Sequence, residues 1–333
     1  MPSETPAIPA GVFVDRIRSR LTPALFCPLD SGEGTFHLPP ALTADMSACS
    51  RVLLALVCVA SAGMLRATTL AEAQELYRAK RYAEARTAFA QVAAADPDNT
   101  EAAYHLGRLA LMRNEQEEAV KWLEKATTLA PGSSPYFRAL GDAYGLSAQK
   151  AGLFSKLGFA RKCLAAYEKG VALDPQSVSA RYALFVFYRQ APAFIGGGVD
   201  KARTQAQEIQ KLDVVRGTLA LAELSVADKK YEEAFETLEN LRRSHPEALD
   251  AGYQIGRVAA LSGLRFDEGV AALKEYLAHT PDDNQPPLWA AHWWLGQIFE
   301  KKGNPAVARA EYEAALKLNP TQPQLIEAMK RLP

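Results

Sequence analysis

The feature that most constrains the fold of this chain is a proline that recurs at intervals near 34 residues. The prolines in this position are Pro97, Pro131, Pro175, Pro246, Pro281 and Pro320. The intervals of 34 and 35 residues set the period, the one of 71 residues holds two units, and those of 44 and 39 residues indicate insertions. A fixed period of this length is typical of a protein built from stacked repeats.

Small and large residues occupy fixed positions ahead of each proline. The small residues, twelve positions before it, are Ala85, Ala119, Cys163, Ala234, Gly269 and Ala308. The large residues, eight positions before it, are Phe89, Leu123, Tyr167, Leu238, Leu273 and Tyr312. Small residues let two helices approach closely, large ones fill the gaps between them, and a proline ends a helix. Each unit is therefore predicted to be a helix hairpin that buries its apolar face against its neighbours.

Two stretches carry the pattern in full. They read Leu106-Gly107…Ala119…Ala126…Pro131 and Trp294-Leu295-Gly296…Phe299…Ala308…Tyr312…Ala315…Pro320. This combination resembles the tetratricopeptide repeat (TPR) family over about residues 68–320. The resemblance implies an all-α fold, a right-handed superhelical solenoid of antiparallel helix pairs, closed by a C-terminal capping helix.

The repeat domain is expected to span residues 66–331, with about seven repeats and a capping helix at 322–331. The first unit departs from the pattern because Ala73 replaces the usual glycine. The fourth unit departs further, with Phe185 at the glycine position and Asp213-Val214 where a proline would end the unit.

The segment before the repeats has a different character. Residues 46–62 contain Arg51, the apolar run Val52–Ala60 and a small-x-small site, an arrangement typical of a secretory signal peptide. We expect Met46 to be the true start, and residues 1–45 to be a non-native or disordered extension. The alternative is a buried apolar helix packed on the first repeat. The signal peptide predicts a soluble exported protein, most simply in the bacterial periplasm, with no membrane span in the mature chain.

The charge balance excludes one class of function. The chain has 38 Lys and Arg against 38 Asp and Glu, whereas a nucleic-acid binder normally carries a basic excess on its binding face. We therefore expect no nucleic-acid partner.

Two units are irregular. The third has about ten extra residues around 145–158, which should lengthen both helices; the apolar insertion is either a docking surface or folds onto the neighbouring hairpin. The fourth contains Gly196, Gly197 and Gly198 just before a helix, where an anion could be held. The phosphate-loop pattern is absent, so a tight irregular connection is the simpler interpretation.

The family resemblance also implies a binding groove lined by the first helices of successive repeats. The residues at these positions are Tyr104, Arg108, Arg138, Asp142, Tyr182, Arg189, Glu223, Tyr253, Arg257 and Trp293. Tyr, Trp and Arg dominate the energetics of protein interfaces, although some of these side chains will serve only for packing. The partner is predicted to be a protein or peptide of unknown identity. The family's clamp for a C-terminal carboxylate is not predicted, because Gln74 and His105 occupy its positions.

No catalytic residue, cofactor or metal site is predicted. The histidines and cysteines lack metal-ligand spacing, and no nucleophile or dinucleotide motif is present. The leading hypothesis is thus a protein-interaction scaffold. The alternatives are a structural component of an envelope complex and, less favoured, an enzyme with a site at the Gly196–Gly198 loop.

Overall fold

The computed structural model describes residues 69–282 and 285–332. The predicted extension and signal peptide, residues 1–62, lie outside them. The described residues contain α-helices and one short 3₁₀ helix but no strand. They fall into two compact units, residues 69–97 and 98–332.

The first unit is a single hairpin of α1 (Leu70–Arg78) and α2 (Tyr82–Ala95). Helix α1 begins with a capping box, in which Thr69 and Glu72 each accept a hydrogen bond from the other's backbone amide. Ala73, at the glycine position, and Phe89, at the predicted large position, are both fully buried. The weaker match of this unit to the pattern therefore still gives the expected hairpin.

The second unit contains six more hairpins and a final helix. Its helices are α3 (Thr100–Met112), α4 (Gln116–Leu129), α5 (Ser134–Lys150), α6 (Leu153–Leu173), α7 (Val178–Gln190), α8 (Val199–Leu212), α9 (Val214–Ala227), α10 (Tyr231–Ser244), α11 (Leu249–Ser262), α12 (Phe266–Leu277), α13 (Leu288–Lys301), α14 (Pro305–Leu318) and α15 (Pro323–Arg331). Each odd-numbered helix from α3 to α13 pairs with the helix that follows it, and successive hairpins pack side by side. The prediction of an all-α array of helix hairpins is confirmed.

Glycines on the first helices receive large side chains from the second helices. A Cβ built on Gly107 would lie 2.4 Å from Leu123 Cγ, and one on Gly256 would lie 2.1 Å from Leu273 Cγ. Gly141 and Gly296 face Tyr167 and Tyr312 in the same way. The recurrent glycine and the large residue eight positions before the proline are thus two halves of one contact, in which the missing Cβ leaves the room.

The fourth hairpin reverses the sizes of the residues at these two positions. Phe185 on α7 stands at the glycine position, and Ala206 on α8 stands eight residues before Val214, where other units have a large residue. Both side chains are fully buried in the same core cluster. The large residue comes from the first helix and the small one from the second, so the hairpin closes despite its poor match to the pattern.

The turns within and between hairpins depend on left-handed residues and on helix caps. The turns inside several hairpins use a left-handed residue seventeen positions before the proline, as at Asn114 (φ 61°), Lys229 (φ 58°) and Gly303 (φ 72°). In the fourth unit a single residue, Asp213, ends α8 and begins α9, and its carboxylate accepts from the Arg216 amide at 2.9 Å.

The insertion in the third unit lengthens both helices, as predicted: α5 has 17 residues and α6 has 21, against 12 to 14 in the other helices between α3 and α14. Leu146 packs against the core, and Lys150 Nζ reaches back to the Asn114 carbonyl oxygen at 2.7 Å. The α5 side of the insertion therefore folds onto the second hairpin.

The last helix covers the end of the array. Leu325 and Ala328 of α15 are fully buried with Tyr312, and Arg331 binds Glu300 through two hydrogen bonds of 2.8 and 2.9 Å. This confirms the capping helix predicted at 322–331.

Candidate partner-binding face

The side chains predicted to line a groove all lie in the second unit, on α3, α5, α7, α9, α11 and α13. We call this row the first-helix face: Tyr104, Arg108, Arg138, Asp142, Tyr182, Arg189, Glu223, Tyr253, Arg257 and Trp293. Apart from Tyr253, all of them are partly exposed. These side chains form separate groups that differ in their contacts.

The group nearest the start of the unit is an aromatic stack. Tyr104 on α3 stacks on Tyr136 of α5, with ring centroids 4.5 Å apart and planes inclined by 27°. The guanidinium of Arg108 lies 5.7 Å from the centre of the Tyr104 ring. The Tyr136 hydroxyl donates to Glu101 Oε1 at 2.8 Å, and burial together with this carboxylate raises the pKa of Tyr136. The result is a rigid ring pair with a cation beside it.

Arg138 and Asp142 form a pair one helical turn apart on α5. Arg138 Nη1 donates to Asp142 Oδ2 at 2.8 Å, and the Tyr167 hydroxyl donates to Asp142 Oδ1 at 2.7 Å. The charge of Arg138 is therefore balanced inside the third hairpin, and the carboxylate connects the face to the buried Tyr167 ring. This pair holds the hairpin together more than it presents a charge.

The central group lies on the first helices of the fourth, fifth and sixth hairpins, and direct contacts join the fourth hairpin to the fifth. Glu223 on α9 receives Arg189 Nη1 at 3.1 Å and the Tyr182 hydroxyl at 3.5 Å, both from α7. Glu223 and burial raise the pKa of Tyr182, whereas the nearby Arg189 and Arg257 lower it. Arg257 on α11 thus stands within electrostatic reach of the same tyrosine. We call Tyr182, Arg189, Glu223 and Arg257 the central cluster.

The two arginines of the central cluster lie over aromatic rings. Arg189 lies 5.7 Å from the centre of the Phe185 ring, and Arg257 lies 6.0 Å from that of Trp294. Arg257 also donates to the neutral Gln254 side chain at 3.1 Å, and within the described part of the chain it has no ion pair. The Nε atom of Arg189 is buried with no acceptor among the described residues. The group therefore carries two guanidinium charges against one carboxylate.

Tyr253 and Trp293 are placed less favourably for contact with a partner. Tyr253 is only 7% exposed, and its hydroxyl accepts a 2.8 Å hydrogen bond from Trp294 Nε1. Trp293 packs its ring against Tyr312, with centroids 5.3 Å apart. Sequence reasoning missed the face positions of Trp294 and Tyr136. For Trp294, the signal in the sequence was the adjacent pair Trp293-Trp294, because either tryptophan could have been the one that contacts Arg257.

The backbone amides of the glycine loop are bound to nearby backbone carbonyl oxygens. The amides of Gly196, Gly197 and Gly198 donate to the carbonyl oxygens of Ala193, Pro192 and Tyr188 respectively. Gly196 and Gly198 have φ of 102° and 155°, and a Cβ on Gly197 would lie 1.8 Å from the Ala191 carbonyl oxygen. None of the three amides is left to hold an anion, so the glycines serve a tight connection into α8.

The described residues show no site suited to catalysis by a metal or a thiol. No group of three or more His, Cys, Asp or Glu side chains among them could hold a metal ion. Cys163 is buried, and burial raises the pKa of its thiol, which keeps it protonated. Among these helices none is both long and apolar enough to cross a membrane.

The sequence model of the Tetratricopeptide repeat family matches residues 70–134 and 259–323. The first segment covers the first two hairpins, and the second runs from the end of α11 through α14. Both stretches that carry the full pattern lie within them. The chain contains tetratricopeptide repeats.

Solved structures agree with the TPR fold. A tetratricopeptide repeat protein from Parabacteroides merdae is 15% identical, with a TM-score of 0.59, over 78% of this chain and 96% of that one. Yeast Tom70 is 16% identical, with a TM-score of 0.58, over 76% of this chain and 51% of its own. A chain of the Cut9–Hcn1 hetero-tetramer of the APC/C is 13% identical, with a TM-score of 0.51, over 85% of this chain and 51% of its own. At these identities the likeness establishes the fold alone. No curated protein matches the sequence significantly.

The TPR fold suggests a scaffold for protein–protein interaction, and the family is generally non-enzymatic. Protein partners are accordingly the class of ligand that this TPR protein is suited to bind.

Proposed function

We propose that this TPR protein is an interaction scaffold that binds an extended segment of a partner protein along the first-helix face. The observation that supports the proposal is the pairing of positioned cations with aromatic rings at this face: Arg108 beside Tyr104 and Arg257 beside Trp294, with Arg189 over the buried ring of Phe185. Rigid aromatic rings and planar guanidinium groups contribute most of the binding energy in protein interfaces.

Arg108 and Arg257 are the side chains best suited to test the proposal. Both are partly exposed and lie on first helices. A double variant, Arg108→Ala with Arg257→Ala, should retain the helical spectrum and melting temperature. It should lose most of the partner captured by the wild-type protein from the native envelope fraction.

The matched control removes the same charge from second helices. Arg161 on α6 and Lys274 on α12 are both exposed. The Arg161→Ala, Lys274→Ala variant should capture the same partner as the wild type. Equal capture by all three proteins would contradict a binding role for the first-helix face.

We also propose that the chain is exported after removal of residues 46–62, into a space equivalent to the bacterial periplasm. The support is the sequence of Arg51, the apolar run Val52–Ala60 and the small residues that follow it. N-terminal sequencing of the protein from its native host should give a first residue just after Ala62. A mature protein that begins near Met1 would contradict both the export and the start at Met46. A role within an envelope complex would follow if the captured partner were an envelope protein.

A further inference from the structure

We infer that the central cluster is a subsite for one acidic side chain, Asp or Glu, within the bound segment. The inference rests on the proposed function and specifies the chemistry of its partner. The occupant is an internal acidic residue of an extended peptide that passes over α7, α9 and α11.

The positive charge of the central cluster is not fully balanced. Arg189 shares the carboxylate of Glu223, whereas Arg257 is held, among the residues that the structure describes, only by the amide oxygen of Gln254 and the face of Trp294. A guanidinium offers a planar fork of donors that fits a carboxylate with two parallel hydrogen bonds. The ring beneath each arginine limits its movement, so that little conformational entropy remains to be lost on binding.

Arg189 also carries a hydrogen-bond donor that has no acceptor in the described part of the chain. Its Nε atom is buried and has no acceptor among the described residues, while Nη1 is bound to Glu223. A buried donor without an acceptor costs free energy, and a carboxylate that drew the Arg189 side chain outward would relieve that cost. Arg138, by contrast, has its charge balanced by Asp142 within one helix, so the same residue type on α5 offers no such site.

The position of the cluster selects an internal residue over a chain end. First helices of the same unit lie on both sides of it, α3 and α5 before and α13 after. A segment that follows the row of first helices therefore continues past the cluster in both directions. The occupant of the cluster is then a side-chain carboxylate.

Selection from a library of random dodecapeptides displayed on phage tests this inference. The peptides are fused through their C-termini to the coat protein and have no free terminal carboxylate. The full chain should enrich peptides that share an Asp or Glu at one position, and Arg257→Gln should abolish that enrichment. The control Arg242→Gln, on α10, should keep it.

Direct binding of one selected peptide sharpens the result. Replacement of its shared acidic residue by Gln or Asn, or Arg257→Gln in the protein, should each weaken binding about tenfold. The two changes together should cost little more than either alone, because they remove the same contact. Glu223→Gln should strengthen binding, since it removes the competing carboxylate from Arg189. Free and amidated peptides should bind equally.

The possible failures are distinguishable. Peptides that bind the first-helix face without a shared acidic position, or whose binding is unaffected by Arg257→Gln, would overturn the acidic subsite but leave the proposed scaffold function intact. A free C-terminus that accounts for the affinity would overturn the internal position. If no peptide is selected at all, both this inference and binding of extended segments are contradicted.

Discussion

Leu123 fills the space in which Gly107 would carry a side chain: an ideal Cβ on Gly107 lies 2.4 Å from Leu123 Cγ. The two residues come from the two helices of one hairpin, and Leu123 is fully buried. The same contact recurs at Gly141, Gly256 and Gly296. Helix approach in this array therefore depends on the absence of one carbon atom in each of these hairpins.

Gly107→Ala should destabilise the protein despite the better helix propensity of alanine. The added methyl group must displace Leu123 or separate α3 from α4, which costs about 1–3 kcal/mol. Gly132→Ala is the matched control, since a Cβ there meets nothing within 4 Å. Urea unfolding of both variants measures the difference. An unchanged or raised stability for Gly107→Ala would show that the hairpin does not depend on this contact.

The fourth hairpin, in which the large and small residues are exchanged between the two helices, gives a second prediction. Phe185→Ala should cost about 3–5 kcal/mol, because the neighbouring position on α8 holds only Ala206 and cannot fill the cavity. Adding Ala206→Leu to a Phe185→Gly variant recreates the arrangement of the other hairpins and should recover part of the loss. Thermal unfolding of the single and double variants gives the comparison. If Phe185→Gly alone raised stability toward the family pattern, the reversal would be wrong.

Asp250, in the first turn of α11, predicts a pH dependence of stability. Burial, followed by the negative charge of Asp282, raises the pKa of Asp250 to about 6 from 3.8, while Arg216 opposes the shift. A raised pKa in the folded state means that the folded chain holds this proton more tightly than the unfolded chain. The carboxyl thus favours folding below about pH 4, and this contribution is lost as the pH rises toward 6.

Asp250→Asn should therefore gain stability relative to the wild type as the pH rises from 4 to above 6, by about 1–3 kcal/mol. Urea unfolding at several pH values measures the difference. Asp267→Asn serves as the control, because Asp267 is highly exposed on α12 and, within the described part of the chain, pairs only with Lys302 at 2.6 Å. A difference between Asp250→Asn and wild type that stayed constant with pH would contradict burial as the cause of the shift.

The repeat register could be predicted from sequence, because proline, glycine and the large residues each occupy positions that the geometry of a hairpin fixes. Phe185 departs from the pattern, which places the large residue on the second helix, whereas packing requires only that one of the two helices supply it. The row of first-helix residues comes from the family resemblance, carried over by position. The contacts that these side chains make could not be predicted in the same way. Adjacent residues on a helix differ by about 100° in direction, so Trp293 packs on Tyr312 while Trp294 contacts Arg257.

Site-specific photo-crosslinking in the native host tests the central claim most directly. A photoreactive phenylalanine analogue would be placed at Arg108 or Arg257 on first helices, and at Arg161 or Lys274 on second helices. Our account predicts a discrete adduct with a partner protein from the first pair of positions and none from the second pair. Adducts of equal yield from both pairs, or from the second-helix positions alone, would contradict it.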